Sequence, residues 1–550
     1  ADLYEFPVTG MNELSVEWTG KSQKLSDSRK IEILPFQPMK KNLILFIGDA
    51  MGNAYRDAGR IVARSTETRP GVSGFRQGFF DRWNEMDQMP VTGLAMTYGY
   101  DTLVPDSAQT ASHWSTGNKP LSGALSALPD GTDCHWRSEF TEKNIEFLRD
   151  NPKVESMLEY LKRRHGYRTG VVSTAFITDA TPAAQGSHTP TRGSTFEIAR
   201  QYLENPLLEN QPAFDVILGG GKEDFDTKLR GDQRDLIQEF QKKGFHFVQS
   251  AAELKATPSA TSKLFGLFRS TSDSKTAAGK LRPTKSTSMD PAYDKLGLLG
   301  RMNTRPGSEP IPDFETWTDQ PFLNDMTRKA IEILSQGNQP FALQVEGELV
   351  DKQSHPNHAA GVIWDVIELD QSVGVARRWA QSRPSQDTLI VVSGDHDQTM
   401  TINGVVEMGD ADLTDRTPIG EVAGQKVYKD ALVNHRGNLG SIPANLRSFS
   451  GRPGGHPDYI DADGDGYPEN REVNGKGRKR ISVGFRTGGH AGTSLPVTAE
   501  GPGALYFTGY MDQTDLFFKM AAALGSDTRK ADQALKEILK LRPRLPHESQ

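Results

Sequence analysis

Four short apolar runs, each followed by side chains that bind metal ions or phosphate, constrain the fold of this chain more than any other feature. The runs cover residues 43–47, 169–173, 341–345 and 389–392. Behind them come Asp49, Asp179, Thr181, Glu346, Asp395 and His396. Short apolar runs of this kind predict buried β-strands. In open α/β sheets the ligand site lies beyond the carboxyl ends of the strands, so we expect these side chains at one edge of a sheet.

Helical patterns alternate with the predicted strands. One apolar stripe with helical spacing consists of Val362, Val366, Leu369, Val373 and Ala376. Residues 331–334 close another predicted helix just before the third strand. This alternation predicts a large, mostly parallel central sheet covered by helices on both faces, which is a three-layer α/β/α sandwich. A chain of 550 residues is long enough to bury a core of that size.

The predicted sandwich does not account for the whole chain. Residues 1–40 are polar and predict an N-terminal arm, residues 41–530 form the main domain, and residues 531–550 form a C-terminal tail. Within the main domain, two stretches rich in small, polar and turn-forming residues predict loop-rich cap insertions, near residues 256–310 and 397–489.

Composition argues against nucleic-acid binding, a membrane span and an intrachain disulfide. The formal net charge of -7 provides no basic footprint for nucleic acid. No run of 18 apolar residues exists, so we expect no membrane span. The single cysteine, Cys134, cannot form an intrachain disulfide and is expected to be a structural or surface thiol.

Ser107 is the candidate nucleophile. A serine hydroxyl needs a base or a metal ion to activate it, and no His-Asp partner is evident in the sequence, so metal activation is the simpler hypothesis. Residues 108–116 predict a helix whose first amide groups would favour a phosphate. Asp351 and His355 are spaced i, i+4 and would share one helix face. Together with the residues behind the strands, this pattern indicates a multi-metal phosphoryl-transfer enzyme.

The chain resembles the alkaline phosphatases from about residue 42 to about residue 525. The resemblance is carried by six stretches: Gly-Asp-Ala-Met-Gly at 48–52, Pro-Asp-Ser-Ala at 105–108, Asp-Ala-Thr-Pro at 179–182, the acidic and His residues of 346–355, Asp-His at 395–396, and His-Ala-Gly at 490–492. It implies hydrolysis of small phosphomonoesters through a phosphoserine on Ser107, with release of inorganic phosphate. The family is usually exported and usually homodimeric, so a periplasmic or extracellular location is expected, and no dimer interface can be read from the sequence.

The resemblance also implies three metal ions. The first zinc set matches Asp351, His355 and His490, the second matches Asp49, Asp395 and His396, and the magnesium set matches Asp49, Thr181 and Glu346. Imidazole and carboxylate groups suit zinc, whereas hard oxygen donors suit magnesium. By residue chemistry alone, the sets are only zinc-like and magnesium-like. The remaining histidines at positions 113, 165, 188 and 358 are expected to be structural.

Three further positions match the family's phosphate-binding and supporting residues. Arg192 would bind two phosphate oxygens as a fork. Lys352 would contact phosphate through water, and Asp179 would orient Lys352 and a magnesium-bound water. One position departs from the usual Asp-Gly-Met-Gly motif, because Ala50 stands where the family has glycine. We therefore expect a negative φ at Ala50 and a slightly altered turn.

Residues 461–472 match the twelve-residue calcium loop D-x-[DN]-x-[DN]-G-x5-E. The expected ligands are Asp461, Asp463, Asp465, the Tyr467 carbonyl and Glu472. An isolated structural calcium loop is favoured over a paired helix–loop–helix hand. An acidic turn without an ion is the alternative.

Two other functions fit parts of the sequence. A diesterase or sulfatase of the same superfamily would share the metal residues. However, the sequence after Ser107 lacks the Cys/Ser-x-Pro-x-Arg context of sulfatases, and the oxygen donors Thr181 and Glu346 favour monoesters. A calcium-binding structural or adhesive protein would explain the acidic loop but not Ser107 or Arg192.

Overall fold

The computed structural model describes residues 9–20, 23–33, 36–64, 83–129, 151–227, 230–268, 288–295, 319–355, 357, 359–408, 418–422, 425–428 and 478–540. The strands of these residues are β1 Gly10–Thr19, β2 Lys24–Ile33, β3 Asn42–Gly48, β4 Val91–Met96, β5 Arg168–Phe176, β6 Val216–Gly220, β7 His246–Val248, β8 Leu264–Leu267, β9 Phe341–Gly347, β10 Thr388–Gly394, β11 Asp397–Met408, β12 Pro418–Val422, β13 Gln425–Tyr428, β14 Arg478–Ala491, β15 Leu495–Glu500 and β16 Gly509–Asp512.

The α-helices of the same residues alternate with many of these strands. They are α1 Asn53–Arg64, α2 Ser107–Thr116, α3 Met157–His165, α4 Ala180–Ala183, α5 Thr195–Leu203, α6 Leu236–Lys242, α7 Ala251–Ala256, α8 Ala292–Lys295, α9 Leu323–Leu334, α10 Leu349–Ser354, α11 Ala359–Ser382, α12 Asp515–Gly525 and α13 Arg529–Lys540.

Ten strands form the central sheet, in the order β16-β4-β15-β10-β3-β9-β5-β6-β8-β7. The four strands predicted from the apolar runs are β10, β3, β9 and β5, and they lie side by side and parallel. Gly48 at the end of β3 is in register with Gly394 on one side and Gly347 on the other. The predicted strands therefore end together at one edge. The sheet is mixed because β15 runs antiparallel to both of its neighbours.

Helices cover both faces of this sheet, as the alternation predicted. Along β3, Ile44 and Phe46 point into one hydrophobic core, and Leu43, Leu45 and Ile47 point into the other. The first core is closed by α1, α9 and α11, and the second by α2, α3, α5 and α12. The three-layer α/β/α sandwich is confirmed.

Helix α11 is more deeply buried than its predicted stripe requires. The stripe from Val362 to Ala376 is buried, but Ile363, Trp364 and Ile367 on other sides of the helix are buried as well. Helix α11 is surrounded because it contacts α1, α9 and α10 in addition to the sheet. The helical spacing of the stripe correctly predicted the helix, but it predicted only one of the helix faces that are buried.

The segment between His396 and His490 begins and ends in an antiparallel ribbon of β11 and β14. In this ribbon Gln398 pairs with His490. The ribbon returns the chain to the sheet edge, which explains how a residue so distant in sequence reaches the strand ends.

The predicted arm, the first insertion and the tail contain regular secondary structure where they are described. Within the predicted arm, residues 10–19 and 24–33 pair as a two-stranded antiparallel ribbon, β1 with β2. Strand β8 of the central sheet lies inside the range 256–310, and α13 spans the predicted start of the tail at residue 531. Cys134, His358 and the loop 461–472 lie outside the described residues. Across the ranges the structure describes, no helix combines the length and apolar character that a membrane crossing requires.

Candidate metal centre

The ends of β10, β3, β9 and β5 bring the predicted acidic residues together. Asp49 follows β3, and Asp395 follows β10. Glu346 is the penultimate residue of β9, and Thr181 lies in α4 shortly after β5. All four are at most 1% exposed. The shared register of the parallel strands places them at one edge, as predicted.

Asp49, Asp395 and His396 form a compact cluster in which one ligand atom from each residue lies within 4.8 Å of the others. His396 Nε2 is 3.3 Å from Asp49 Oδ1 and 3.2 Å from Asp395 Oδ2. These are the three residues of the predicted second zinc set. Their donor types and convergence fit a zinc ion.

A second cluster with the same compactness consists of Asp351, His396 and His490. His355 joins it through Asp351, because its Nε2 is 3.1 Å from Asp351 Oδ2. The rings of His396 and His490 stack with centroids 3.6 Å apart. Asp351, His355 and His490, which sequence reasoning grouped together, are therefore neighbours, and His396 lies between the two clusters.

Hydrogen bonds at the back of two imidazole rings leave the metal-facing nitrogens available. His355 Nδ1 lies 2.6 Å from the Gly488 carbonyl oxygen, and His490 Nδ1 lies 2.9 Å from that of Pro105. Because a carbonyl can only accept, each Nδ1 carries a proton, and Nε2 is the ring nitrogen that would face a metal ion. This is the usual arrangement of a metal-binding histidine and its supporting partner.

The predicted magnesium ligands carry oxygen atoms that the surrounding protein leaves unsatisfied. Among the described residues, Asp49 Oδ1, Thr181 Oγ1 and Glu346 Oε1 are buried and make no hydrogen bond of good geometry. The other carboxylate oxygen of Glu346 accepts a hydrogen bond of 2.5 Å from Ser173 Oγ. Buried polar atoms are normally satisfied, so three orphaned oxygens in one region fit a hard cation.

The electrostatics of the edge also fit bound cations. Burial, followed by the charge of Asp395, raises the pKa of Asp49 well above its ordinary value. Burial and the charge of Glu348 raise the pKa of Glu346 in the same way. Burial and the charge of His396 lower the pKa of His490 to about 4, so its ring is neutral. Divalent cations would relieve this repulsion between carboxylates and use the neutral ring as a ligand.

Ser107 is the first residue of α2 and is 3% exposed. Asp106 caps the helix by accepting a hydrogen bond from the Gln109 amide at 3.2 Å. Ser107 Oγ lies 3.3 Å from His396 Nε2. The predicted helix after Ser107 is confirmed, and the hydroxyl lies at its amino terminus beside the candidate metal ligands.

Arg192, Asp179 and Lys352 form a connected set of charges, which reaches the residue before Ser107 through Asp106. Arg192 Nη2 is 2.5 Å from Asp179 Oδ1, and Arg192 Nη1 is 3.5 Å from Asp106 Oδ2. Lys352 Nζ is 3.4 Å from Asp179 Oδ2. Burial opposes ionisation of Asp179, but the charges of Arg192 and Lys352 hold its pKa below its ordinary value.

The expectation of a negative φ at Ala50 is wrong. Ala50 has φ = 63°, in the left-handed region. Its amide donates to Asp395 Oδ1 at 2.9 Å, and the Met51 amide donates to the Gly48 carbonyl at 3.0 Å. The turn is held by these contacts although a Cβ in this conformation costs about 1–2 kcal/mol.

Sequence reasoning missed two side chains at the site. Glu348 Oε1 is 2.8 Å from Lys352 Nζ, and burial raises the pKa of Glu348 to about 7. Gln398 Nε2 donates to Asp351 Oδ1. The i, i+4 spacing of Glu348 and Lys352 is a signal that could have identified the first residue. Nothing in the sequence near Gln398 indicates its contact.

The histidines expected to be structural have protein partners where they are described. His188 Nε2 is 2.9 Å from Glu159 Oε1, and its Nδ1 is 3.0 Å from the Ser126 carbonyl. His113 Nδ1 is 3.0 Å from Gln513 Oε1, and Gln513 Nε2 donates to the Asp395 carbonyl at 2.7 Å. His165 packs against the rings of Phe36 and Tyr160.

Comparisons with known proteins agree on one family. The family model described as alkaline phosphatase matches residues 40–526. The alkaline phosphatase of Escherichia coli is 30% identical over 509 residues, which is 88% of this chain and 86% of that protein. The tissue-nonspecific isozyme of Gallus gallus is 28% identical and is matched over 92% of this chain and 88% of its own length.

Solved structures share the fold. The alkaline phosphatase of Thermus thermophilus has a TM-score of 0.58 at 20% identity, with 91% of this chain and 95% of that chain covered. The cold-active enzyme of a Shewanella species has a TM-score of 0.56 at 22% identity, with 88% and 100% covered.

Proposed function

The chain belongs to the alkaline phosphatase family and is a phosphatase, and on that premise we propose that it hydrolyses phosphate monoesters through a phosphoserine on Ser107. The observation that carries this proposal is the position of Ser107 Oγ. It lies at the start of α2, 3.3 Å from His396 Nε2, and His396 belongs to both clusters of metal-binding side chains. The neighbouring Asp106 is 3.5 Å from the Arg192 guanidinium. A nucleophile, charge compensation and a phosphate clamp are thus combined in one place.

Three metal ions would complete the centre. Asp351, His355 and His490 would hold one zinc, and Asp49, Asp395 and His396 would hold the other. Asp49, Thr181 and Glu346 would hold magnesium. When bound, such ions neutralise charge on the phosphoryl oxygens and acidify hydroxyl groups and water. The orphaned buried oxygens and the fixed imidazole tautomers support this assignment.

The protein's own residues would carry the substrate through two displacements. In the first, Ser107 Oγ gives up its proton to solvent and forms a bond to phosphorus. The bond from phosphorus to the ester oxygen breaks, and that oxygen takes up a proton from water. In the second, water attacks the phosphoserine, and inorganic phosphate and the free serine hydroxyl are released. Arg192 would bind two non-bridging oxygens in both steps. The amino terminus of α2, which begins at Ser107, would add a favourable field for the same negative charge.

A structural calcium ion is proposed from the sequence motif at residues 461–472, with Asp461, Asp463, Asp465, Tyr467 and Glu472 as ligands. It would order the insertion between β11 and β14 without taking part in the chemistry. We also propose, from the family, a homodimer in the periplasm or outside the cell. Sedimentation analysis and cell fractionation test these two assignments.

A labelled phosphomonoester tests the mechanism directly. Purified protein with zinc and magnesium should release phosphate from a chromogenic monoester much faster than from the diester with the same leaving group. Acid quench during turnover should trap the label on Ser107, and elemental analysis should find two zinc ions and one magnesium ion per chain. Label on another residue, or no trapped label, would refute the phosphoserine route.

A further inference from the structure

Glu348 is a fully buried carboxylate beside the proposed metal centre that no step of the mechanism uses. It lies between β9 and α10, and its side chain is 0% exposed. Its amide donates to Thr174 Oγ1 at 3.0 Å, which fixes the backbone at this point. Its Oε1 is 2.8 Å from Lys352 Nζ.

Lys352 is the link between Glu348 and the phosphate region. Its side chain is 35% exposed, whereas those of its acidic neighbours are almost inaccessible. The ammonium group is 2.8 Å from Glu348, 3.4 Å from Asp179 and 3.6 Å from Asp351. Glu348 is therefore the nearest of its carboxylate neighbours and holds it from the buried side.

A purely stabilising role explains Glu348 poorly. Burying a carboxylate carries a desolvation penalty that an ion pair often fails to recover. Glu348 also lies in an already acidic region, where its charge raises the pKa of Glu346. An apolar side chain of similar size would avoid both costs. The placement is better explained if the charge of Glu348 acts on Lys352.

We propose that Glu348 is a positioning residue that anchors the Lys352 ammonium beside Asp179 and weakens its attraction for phosphate, so that the product is released readily. The proposal rests on the proposed phosphatase function. A charge this close to a lysine cancels much of the field the lysine would otherwise exert on a dianion. Arg192, which is paired with Asp179 and Asp106, would then provide most of the direct phosphate binding.

The test is Glu348→Gln, which keeps the shape of the side chain and removes its charge. With zinc and magnesium saturating and their content verified, the inhibition constant for inorganic phosphate and the KM should both fall about tenfold. The single-turnover rate of Ser107 phosphorylation should stay within about threefold, because Glu348 touches neither the nucleophile nor the phosphate.

A double-mutant cycle with Lys352→Gln isolates the route of the effect. If Glu348 acts through Lys352, then Glu348→Gln should leave phosphate inhibition unchanged in the Lys352→Gln background. Glu368→Gln is the matched control, since Glu368 on α11 is nearly as buried as Glu348 and pairs with Lys295 of α8 at 2.5 Å. That control should lose stability without altering phosphate inhibition. If Glu348→Gln does not fold, Glu348→Asp, which withdraws the charge by one methylene, should give a smaller change of the same sign.

The possible failures are distinguishable. A wild-type protein that does not hydrolyse monoesters would refute the proposed function. An active wild type whose phosphate inhibition is unchanged or weakened by Glu348→Gln would refute the role of Glu348 alone. An equal effect of Glu348→Gln with and without Lys352 would also overturn it.

Discussion

The carbonyl oxygen of Gly488 lies 2.6 Å from His355 Nδ1. Gly488 belongs to β14, so the β11–β14 ribbon orients a candidate metal ligand that follows α10. The two backbones approach so closely that a Cβ at Gly488 would lie 2.2 Å from the His355 carbonyl oxygen. Any larger residue at position 488 would clash with the His355 backbone, so glycine is required there for steric reasons. The ribbon positions His355 as well as His490.

Replacing Gly488 with Ala should displace His355 and weaken zinc binding about 10- to 100-fold, as expected when the support of a metal-binding histidine is lost. Equilibrium dialysis against zinc measures the change. Gly489→Ala is the matched control, because the nearest atom to its Cβ is Thr487 Oγ1 at 3.5 Å. Equal zinc affinity in the two variants would contradict the argument.

Arg192→Ala should weaken phosphate and substrate binding by about 10- to 100-fold, the loss expected for hydrogen bonds to a charged group. The effect on kcat should be smaller, since metal ions would still neutralise the phosphoryl charge. Steady-state kinetics and phosphate inhibition separate the two effects. Arg200→Ala, which removes an arginine of α5 that is paired with Glu197 and Glu204, is the control. An Arg192→Ala variant as inactive as Ser107→Ala would show that the assigned role is wrong.

Ala50→Gly should stabilise the protein by about 0.5–1 kcal/mol, because glycine adopts φ = 63° without the steric cost that alanine pays. Part of that gain is offset by the greater freedom of glycine in the unfolded chain. Ala50→Val should be destabilising, since a β-branched residue is strongly disfavoured there. Denaturant unfolding measures both. A loss of stability in Ala50→Gly would contradict the prediction.

His188 should make folding stability depend on alkaline pH. Its ring is fully buried, and although burial lowers its pKa, the charge and hydrogen bond of Glu159 raise it above the ordinary value, against a smaller opposing effect of Lys153. A raised folded pKa means that the stabilisation is complete below about pH 6.5 and is lost as the pH rises through the folded pKa. His188→Gln should therefore be about 3 kcal/mol less stable at pH 6, with the difference shrinking towards pH 10. Unfolding curves across this range measure the difference, and a constant gap would contradict it.

Calcium should raise the melting temperature of the protein without entering the chemistry. The carboxylates of residues 461–472 would repel one another without a cation, so binding would order the loop. The melting temperature should fall on calcium-selective chelation with zinc and magnesium kept saturating, and Asp463→Ala should lose calcium binding. An unchanged melting temperature, with calcium binding insensitive to Asp463→Ala, would defeat the proposal.

The sequence by itself determined the elements that bring the chemistry to one edge. The four apolar runs specified β3, β5, β9 and β10, because strand burial leaves a direct pattern in neighbouring residues. Side chains that follow such strands must meet where parallel strands end together, so the grouping of Asp49, Glu346 and Asp395 followed from local information.

The tertiary structure alone decided how these groups contact one another. Gln398 reaches Asp351 across 47 positions of the chain, and Ser107 reaches His396 across 289. Whether residues so far apart in the sequence come into contact depends on the order of the strands in the sheet and on the return of the β11–β14 ribbon. Neither of these produces a periodic pattern in the sequence. The left-handed Ala50 was mispredicted for the same reason: its conformation is imposed by the convergence of Asp49 and Asp395, which overrides the local preference of alanine.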